Sequence, residues 1–496
     1  MSASTLDRDV STLYPATGLI ILVGVGVAFV TLLAYGHFTL SLAVFWLFVL
    51  AGFSWRRDIP PILPACLAYQ WVFIGVGYGY EKVTGKFPGA NLRGDYESAL
   101  WLSLLGLTGL VLGFRLTLAL FQKQVRRVTI MPEQNYDLTR LSILIIVLFG
   151  LNLFFEVLPK QIWFGGAQII QNLLYLRFLP CFVLIYLIGR YGLFWARLWI
   201  PLLVVIGVQL LSGFSRFKEI LLYVFIIVMF RWRPWVRSRK QSVTNMRITI
   251  GGPIALFLML WLGVLWSGGI KQEWRDLIWA DDVALTPLER LGRFSDITSE
   301  AVSRPGAEGL DNLIERLSSG FYYLSLTIPR VPRILPHENG EMALAAIRNA
   351  TMPRFLFPDK PRLSGDSLIV RKYAGIWVAG EENKTSVGLG YIGEFYIDFG
   401  WIGVFIMCVL WGAAGGVMMV FYSLVSPNKE IFFGLCAISM MQYFMSYDGS
   451  FIKFLAGLIQ QTAILGGAVY FFGQRFADWS TNKARRTRSL PSGVSP

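Results

Sequence analysis

Apolar and polar positions follow one another along this chain in long blocks. Apolar stretches fall at 16–36, 38–55, 61–80, 98–121, 141–158, 167–189, 197–212, 217–230, 249–267, 399–422, 431–446 and 450–472. A helix crosses a hydrocarbon layer about 30 Å thick with about 20 apolar residues, and many of these stretches approach that length. The pattern predicts an all-α polytopic membrane protein with about 12 transmembrane helices.

The short polar connections carry charge unevenly. Arg56–Arg57, then Lys123, Arg126 and Arg127, then Arg190, then the run from Arg231 to Arg247 are basic; that last loop has six basic residues and no acidic one. Arg475, Lys483, Arg485, Arg486 and Arg488 crowd the tail. If all these lie on the cytoplasmic side, the apolar stretches alternate consistently and both termini are cytoplasmic. The same parity puts 81–97, 213–219, 268–397 and 448–450 outside. Met1–Pro15 lacks a basic n-region and a small-residue cleavage site, so no cleavable signal is expected.

One polar block stands apart by length. Residues 268–397 carry 15 basic and 17 acidic side chains, which nearly cancel, and the block is long enough to form an extracytoplasmic loop subdomain. Leu310, Leu313, Ile314, Leu317, Phe321 and Leu324 recur at helical spacing, predicting an amphipathic helix near 309–326. A second helix is expected over Glu341–Ala350, ending before Pro353. The chain thus divides into an N-terminal transmembrane bundle (1–267, about nine spans), the loop subdomain (268–397), a C-terminal hairpin plus one span (398–472) and a basic cytoplasmic tail (473–496).

Composition sharpens this reading. The chain is 55% hydrophobic and 15% charged, well below the charge content of soluble domains. Its net charge of +14 lies in short loops and the tail, as membrane topology requires, so no nucleic-acid partner is expected. Cys66, Cys181, Cys408 and Cys436 all fall in apolar stretches and form no CxxC pair. Two histidines, His37 and His337, make a histidine metal site implausible, and no Walker-type loop, HExxH or GxSxG is present. No metal or cofactor is expected, and any reaction here needs an already activated substrate.

Candidate chemistry concentrates in the outer block. Met352-Pro353-Arg354-Phe355-Leu356-Phe357-Pro358-Asp359-Lys360-Pro361-Arg362 has three prolines in nine residues, which suit neither a helix nor a central strand. The result is a stiff loop carrying Arg354, Lys360 and Arg362, fitted to hold an anion in a defined place; an ordinary solvated turn is the alternative. Arg216 and Lys218, in Gly213–Glu219, could bind a phosphate head group or merely snorkel. Glu156 and Arg177 could form an ion pair among the spans. Glu394 is the leading carboxylate for a general base, with Asp398, Asp366 and His337 as competitors. A charge placed to favour a helix N-terminus is the competing reading for Glu394 and Asp398.

The order of these elements resembles bacterial oligosaccharide repeat-unit polymerases of the Wzy type, which extend O-antigen or exopolysaccharide. The resemblance rests on Ser215-Arg216 at an outer span end, Arg316 on a loop helix, the "PRFLFPDKP" run, and "GYIGEFYIDFGWIG" leading into a span, and covers about 210–410. It implies a metal-independent, GT-C-like glycosyltransferase of the bacterial inner membrane acting on undecaprenyl-pyrophosphate-linked glycan. Partners so implied are membrane lipid, a flippase and a chain-length regulator. By the same analogy Arg216, Arg354 and Arg316 hold the donor pyrophosphate and, less directly, Glu394 is the base; the residues themselves add Lys218, Lys360 and Arg362 as further substrate-binding cations and Tyr396 as a ring to stack on sugar. An O-antigen ligase, relying on His337, and a lipid-linked glycan transporter are the alternatives.

Overall fold

The computed structural model describes residues 15–56, 58–87, 92–157, 167–191, 196–211, 217–231, 287–303, 307–352, 365–380 and 386–481, with isolated positions 266, 270, 273, 274, 277, 357 and 382. Among these the chain is helical and forms no strand. Its helices are α1 (Pro15–Tyr35), α2 (Phe38–Ser54), α3 (Ile62–Thr84), α4 (Tyr96–Leu120), α5 (Gln122–Thr129), α6 (Leu138–Val157) and α7 (Ala167–Leu174). They continue with α8 (Phe178–Tyr191), α9 (Ala196–Leu211), α10 (Phe217–Arg231), α11 (Pro287–Ser303), α12 (Ala307–Thr327) and α13 (Glu341–Thr351). The last four are α14 (Asp366–Tyr373), α15 (Tyr391–Val425), α16 (Lys429–Tyr443) and α17 (Phe451–Ser480).

The apolar blocks became helices wherever they are described; 249–265 and most of the loop before α11 lie outside the described residues. Among the described residues, seven helical stretches are long and apolar enough to span a bilayer: α1, α3, α4, α6, the run through α7 and α8, α15 and α17. Apolar helices α2, α9, α10 and α16 have 17, 16, 15 and 15 residues. The two helices expected in the long outer block form close to their expected bounds, as α12 and α13, and α11 and α14 are two more there that the sequence reading did not predict.

The central pair is α4 against α15, and small residues explain its closeness. A Cβ at Gly113 would collide with the Val409 carbonyl, one at Gly412 with the Leu110 carbonyl, and one at Gly109 would lie 2.7 Å from the Phe405 carbonyl. Between apolar helices in lipid, backbone approach of this kind gains the packing that water cannot drive. Helix α15 also bends: Gly400 takes φ +67° and ψ −161°, a conformation open to glycine but not to a side chain-bearing residue.

Polar groups tie the connections together at two opposite ends. At one end Glu133 receives the Tyr186 hydroxyl at 2.7 Å and faces Arg190, Arg231 and Lys429 at 3.1, 3.6 and 3.7 Å. Burial alone would raise its pKa, but the Tyr186 hydroxyl and these cations outweigh that and hold the carboxyl below its ordinary value. The Gln134 amide bonds Glu430, Tyr136 bonds Asn428, and Asp137 N bonds the Ser480 carbonyl beside it. The connections before α6, after α8, after α10, before α16 and after α17 therefore share one end. At the other end lie the start of α4, much of α12, α13, α14 and the starts of α15 and α17.

Candidate functional site

The second end is built around the short connection 444–450 between α16 and α17. Gln70 of α3 donates to the Phe444 carbonyl at 2.7 Å and receives the Tyr391 hydroxyl at 2.7 Å. Ser103 of α4 meets the Tyr447 hydroxyl at 2.7 Å. These are buried side chains among apolar helices, where an unmatched amide or hydroxyl is costly, so the matched set fixes the connection's position. From the other side comes Val387–Tyr391, whose glycines pass close to the backbone. Gly390 has φ +92°, and a Cβ there would meet the Tyr447 carbonyl; one at Gly388 would meet the Asp448 carbonyl.

Glu394 is buried, and its Oε2 accepts from Phe451 N at 2.8 Å, the first amide of α17. Its carboxylate therefore meets the positive end of that helix and matches one of its free amides. Asp398, one turn further along α15, does the same for another helix: it accepts from Met342 N at 3.1 Å and Ala343 N at 2.8 Å at the start of α13. The helix-terminus reading thus takes concrete form for both carboxylates, each on a different helix.

The other expected residues are distributed as follows. Arg216, Arg354, Lys360 and Arg362, and the side chains of Lys218 and Glu156, lie outside the described residues. Arg177 is buried; it donates to Asn152 and lies 5.5 and 4.8 Å from the Phe149 and Phe178 rings. Tyr396 is buried, its hydroxyl donating to the Val331 carbonyl at 2.8 Å, so it secures the stretch leading to α13. His337 packs on Tyr396 and its Nδ1 sits 3.1 Å from the Ile397 carbonyl. Asp366 receives Lys453 at 2.6 Å and Ser386 at 2.9 Å, tying α14 to α17. Glu338 binds Lys372 at 2.8 Å and the Tyr373 hydroxyl; the Lys372 contact leads in holding its carboxyl below the ordinary range.

Phe357 is the one described position of 353–362, but the anchors of the proline loop are described. Asn349 near the end of α13 donates to the Ile452 carbonyl at 3.3 Å, and Asp366 at the start of α14 pairs with Lys453. Both ends of the loop are thus fastened to the first turn of α17, the turn that Glu394 caps. Arg316 is exposed on α12, the helix that reaches the same connection at Gly320. A Cβ at Gly320, one turn on from Arg316, would sit 3.2 Å from Asp448 Cβ.

Sequence reasoning missed Asp448. It is half-buried, receives the Ser446 hydroxyl at 3.0 Å and stands beside the Glu394-capped turn on a connection that three helices hold rigid. The only trace in the sequence is an Asp-Gly-Ser step in a very short connection, which ordinarily marks nothing but a turn. The described residues contain no group of three or more His, Cys, Asp or Glu that could hold a metal ion.

Comparison with known proteins finds no match among curated proteins and none among solved structures. A family model described as a domain of unknown function (DUF8712) matches residues 96–458, a span running from the first turn of α4 to within α17 and enclosing every element of this end except α3. The chain belongs to that DUF8712 family.

Proposed function

We propose that this protein is a membrane glycosyltransferase that polymerises undecaprenyl-pyrophosphate-linked oligosaccharide repeat units at the outer face of the bacterial inner membrane. The observation that carries the reading is the convergence at one end of the bundle. The anchors of the basic proline loop, the Glu394-capped start of α17, the rigid Asp448 connection and the helix that carries Arg316 meet there, although they are far apart in sequence. About twelve crossings and a GT-C-like arrangement belong to the same reading. Cations grouped at a membrane end suit a donor whose tail stays in lipid and whose pyrophosphate leaves with developing negative charge. Arg354, Lys360, Arg362, Arg316, Arg216 and Lys218 take that role. Asp448 and Glu394 are the two carboxylates placed to accept the proton of the attacking sugar hydroxyl, and Asp448 is the more accessible.

The polymerase reading is favoured over ligation because His337, the histidine of the long outer block, is engaged with the Ile397 carbonyl and packed on Tyr396. The glycan profile of a deletion strain tests the proposal. Polymerase loss leaves a product of one repeat unit on the lipid core. A bare lipid core instead identifies a ligase, and full-length glycan in the deletion strain excludes all of these roles. Arg354→Ala is expected to reduce polymerisation about 10- to 100-fold, the loss of one charged hydrogen bond worth about 1.5–3 kcal/mol.

A further inference from the structure

Helix α13 lies in the block read from sequence as extracytoplasmic, yet its faces are arranged as in a membrane helix. Its small residues turn inward: Ala346 is 0% exposed and Ala343 is buried too, and the helix packs closely along α17. Two of its large apolar residues turn outward, Leu344 at 39% and Ile347 at 52% exposure, flanked by exposed Glu341 and Arg348, while Met342 is partly buried against the core. A helix at a water-facing surface buries the large residues and exposes the small or polar ones. The reverse order is what lipid contact produces, since close packing then comes from small residues and large ones meet acyl chains.

Position agrees with the pattern. The start of α13 is fixed at Asp398, and a Cβ at Gly340 would lie 3.1 Å from the Phe399 ring. On α15 the exposed apolar band begins there, with Phe399, Trp401, Ile402, Ile406 and Leu410. The end of α13 is fixed at Ile452, in the first turn of α17. The outward face of α13 therefore continues the lipid-facing band of α15 at its rim, where aromatic residues mark an interface.

We infer that α13 is an interfacial helix whose Leu344 and Ile347 insert into the acyl-chain layer of the leaflet at this end of the bundle. The occupant of this face is lipid. The inference stands on packing and does not depend on the glycosyl-transfer reading. One consequence is that Met352, where the proline loop begins, leaves from the membrane surface.

Single cysteines at Leu344 and Ile347, and a reference cysteine at Glu382, labelled with bimane in the full chain reconstituted into liposomes, test this. The native cysteines are buried and serve as the unlabelled background. At 344 and 347, acyl chain-brominated lipid should quench strongly and aqueous iodide weakly, with a lipid-to-iodide ratio severalfold above that at 382. Equal ratios at all three sites, or protection from both quenchers at 344 and 347, would overturn it. Should Leu344→Cys fail to fold, Ile347→Cys alone decides the question by the same ratio.

Discussion

Residue-scale chemistry turns on two carboxylates at one connection, and a pair of isosteric changes separates them. Glu394→Gln keeps size and one acceptor oxygen, so the Phe451 amide can remain bonded while the charge facing the α17 terminus is lost. As a helix-end charge Glu394 is worth about 0.3–1 kcal/mol, so polymerisation by the variant should stay near wild type. Asp448→Asn cannot accept the hydroxyl proton, and should lower the rate by two to four orders of magnitude, about the contribution of a positioned base. An assay with purified lipid-linked repeat units checks both. Loss in Glu394→Gln with retention in Asp448→Asn would move the base to Glu394. The sequence singled out Glu394 because it stands in a run leading to a span; nothing local tells a carboxylate that caps a distant helix from one that meets substrate.

Among the elements, the α4–α15 contact governs the site because both Ser103 and Glu394 are carried by that pair. Gly113→Val places a branched side chain where the Val409 carbonyl lies, so the two helices must separate. Forced overpacking costs about 1–3 kcal/mol, and the variant should unfold at lower temperature in detergent. Gly150→Val, at a glycine of α6 with nothing within 4 Å of the added Cβ, should be close to neutral. Comparison of the two melting temperatures isolates helix contact from the general cost of replacing glycine. The lengths of α12 and α13 were legible in the sequence, from periodic apolar residues and from Pro353. Which side of α13 packs was not, because alanine and leucine carry the same apolar label in a pattern.

For the whole molecule, the basic connections predict which end faces the cytoplasm. A cytoplasmic-active reporter fused after Gln241 should be active, and a periplasmic-active reporter should be active within 290–310. Periplasmic activity after Gln241 would invert the bundle and put Asp448, Arg316 and the proline-loop anchors on the wrong side for a glycan donor. The Glu133 group supports treating the connections before α6, after α8, after α10 and before α16 as one set, since Arg190, Arg231 and Lys429 all reach a single carboxylate there.

The sequence by itself determined the helical, membrane-spanning character of this protein, because the length of an apolar run is a local property that the bilayer reads directly. Its prolines also mark 353–362 as a basic stretch that suits neither a helix nor a central strand, since proline constrains its own backbone. Only the tertiary structure decided that α17 begins on Glu394 and α13 on Asp398, that Asp448 is clamped between Gly320 and Gly388, and that both anchors of the proline loop meet α17. Those are contacts between residues tens to hundreds of positions apart. Their partners are chosen by close helix packing and by the need of buried polar groups for a match, which no stretch of chain specifies alone.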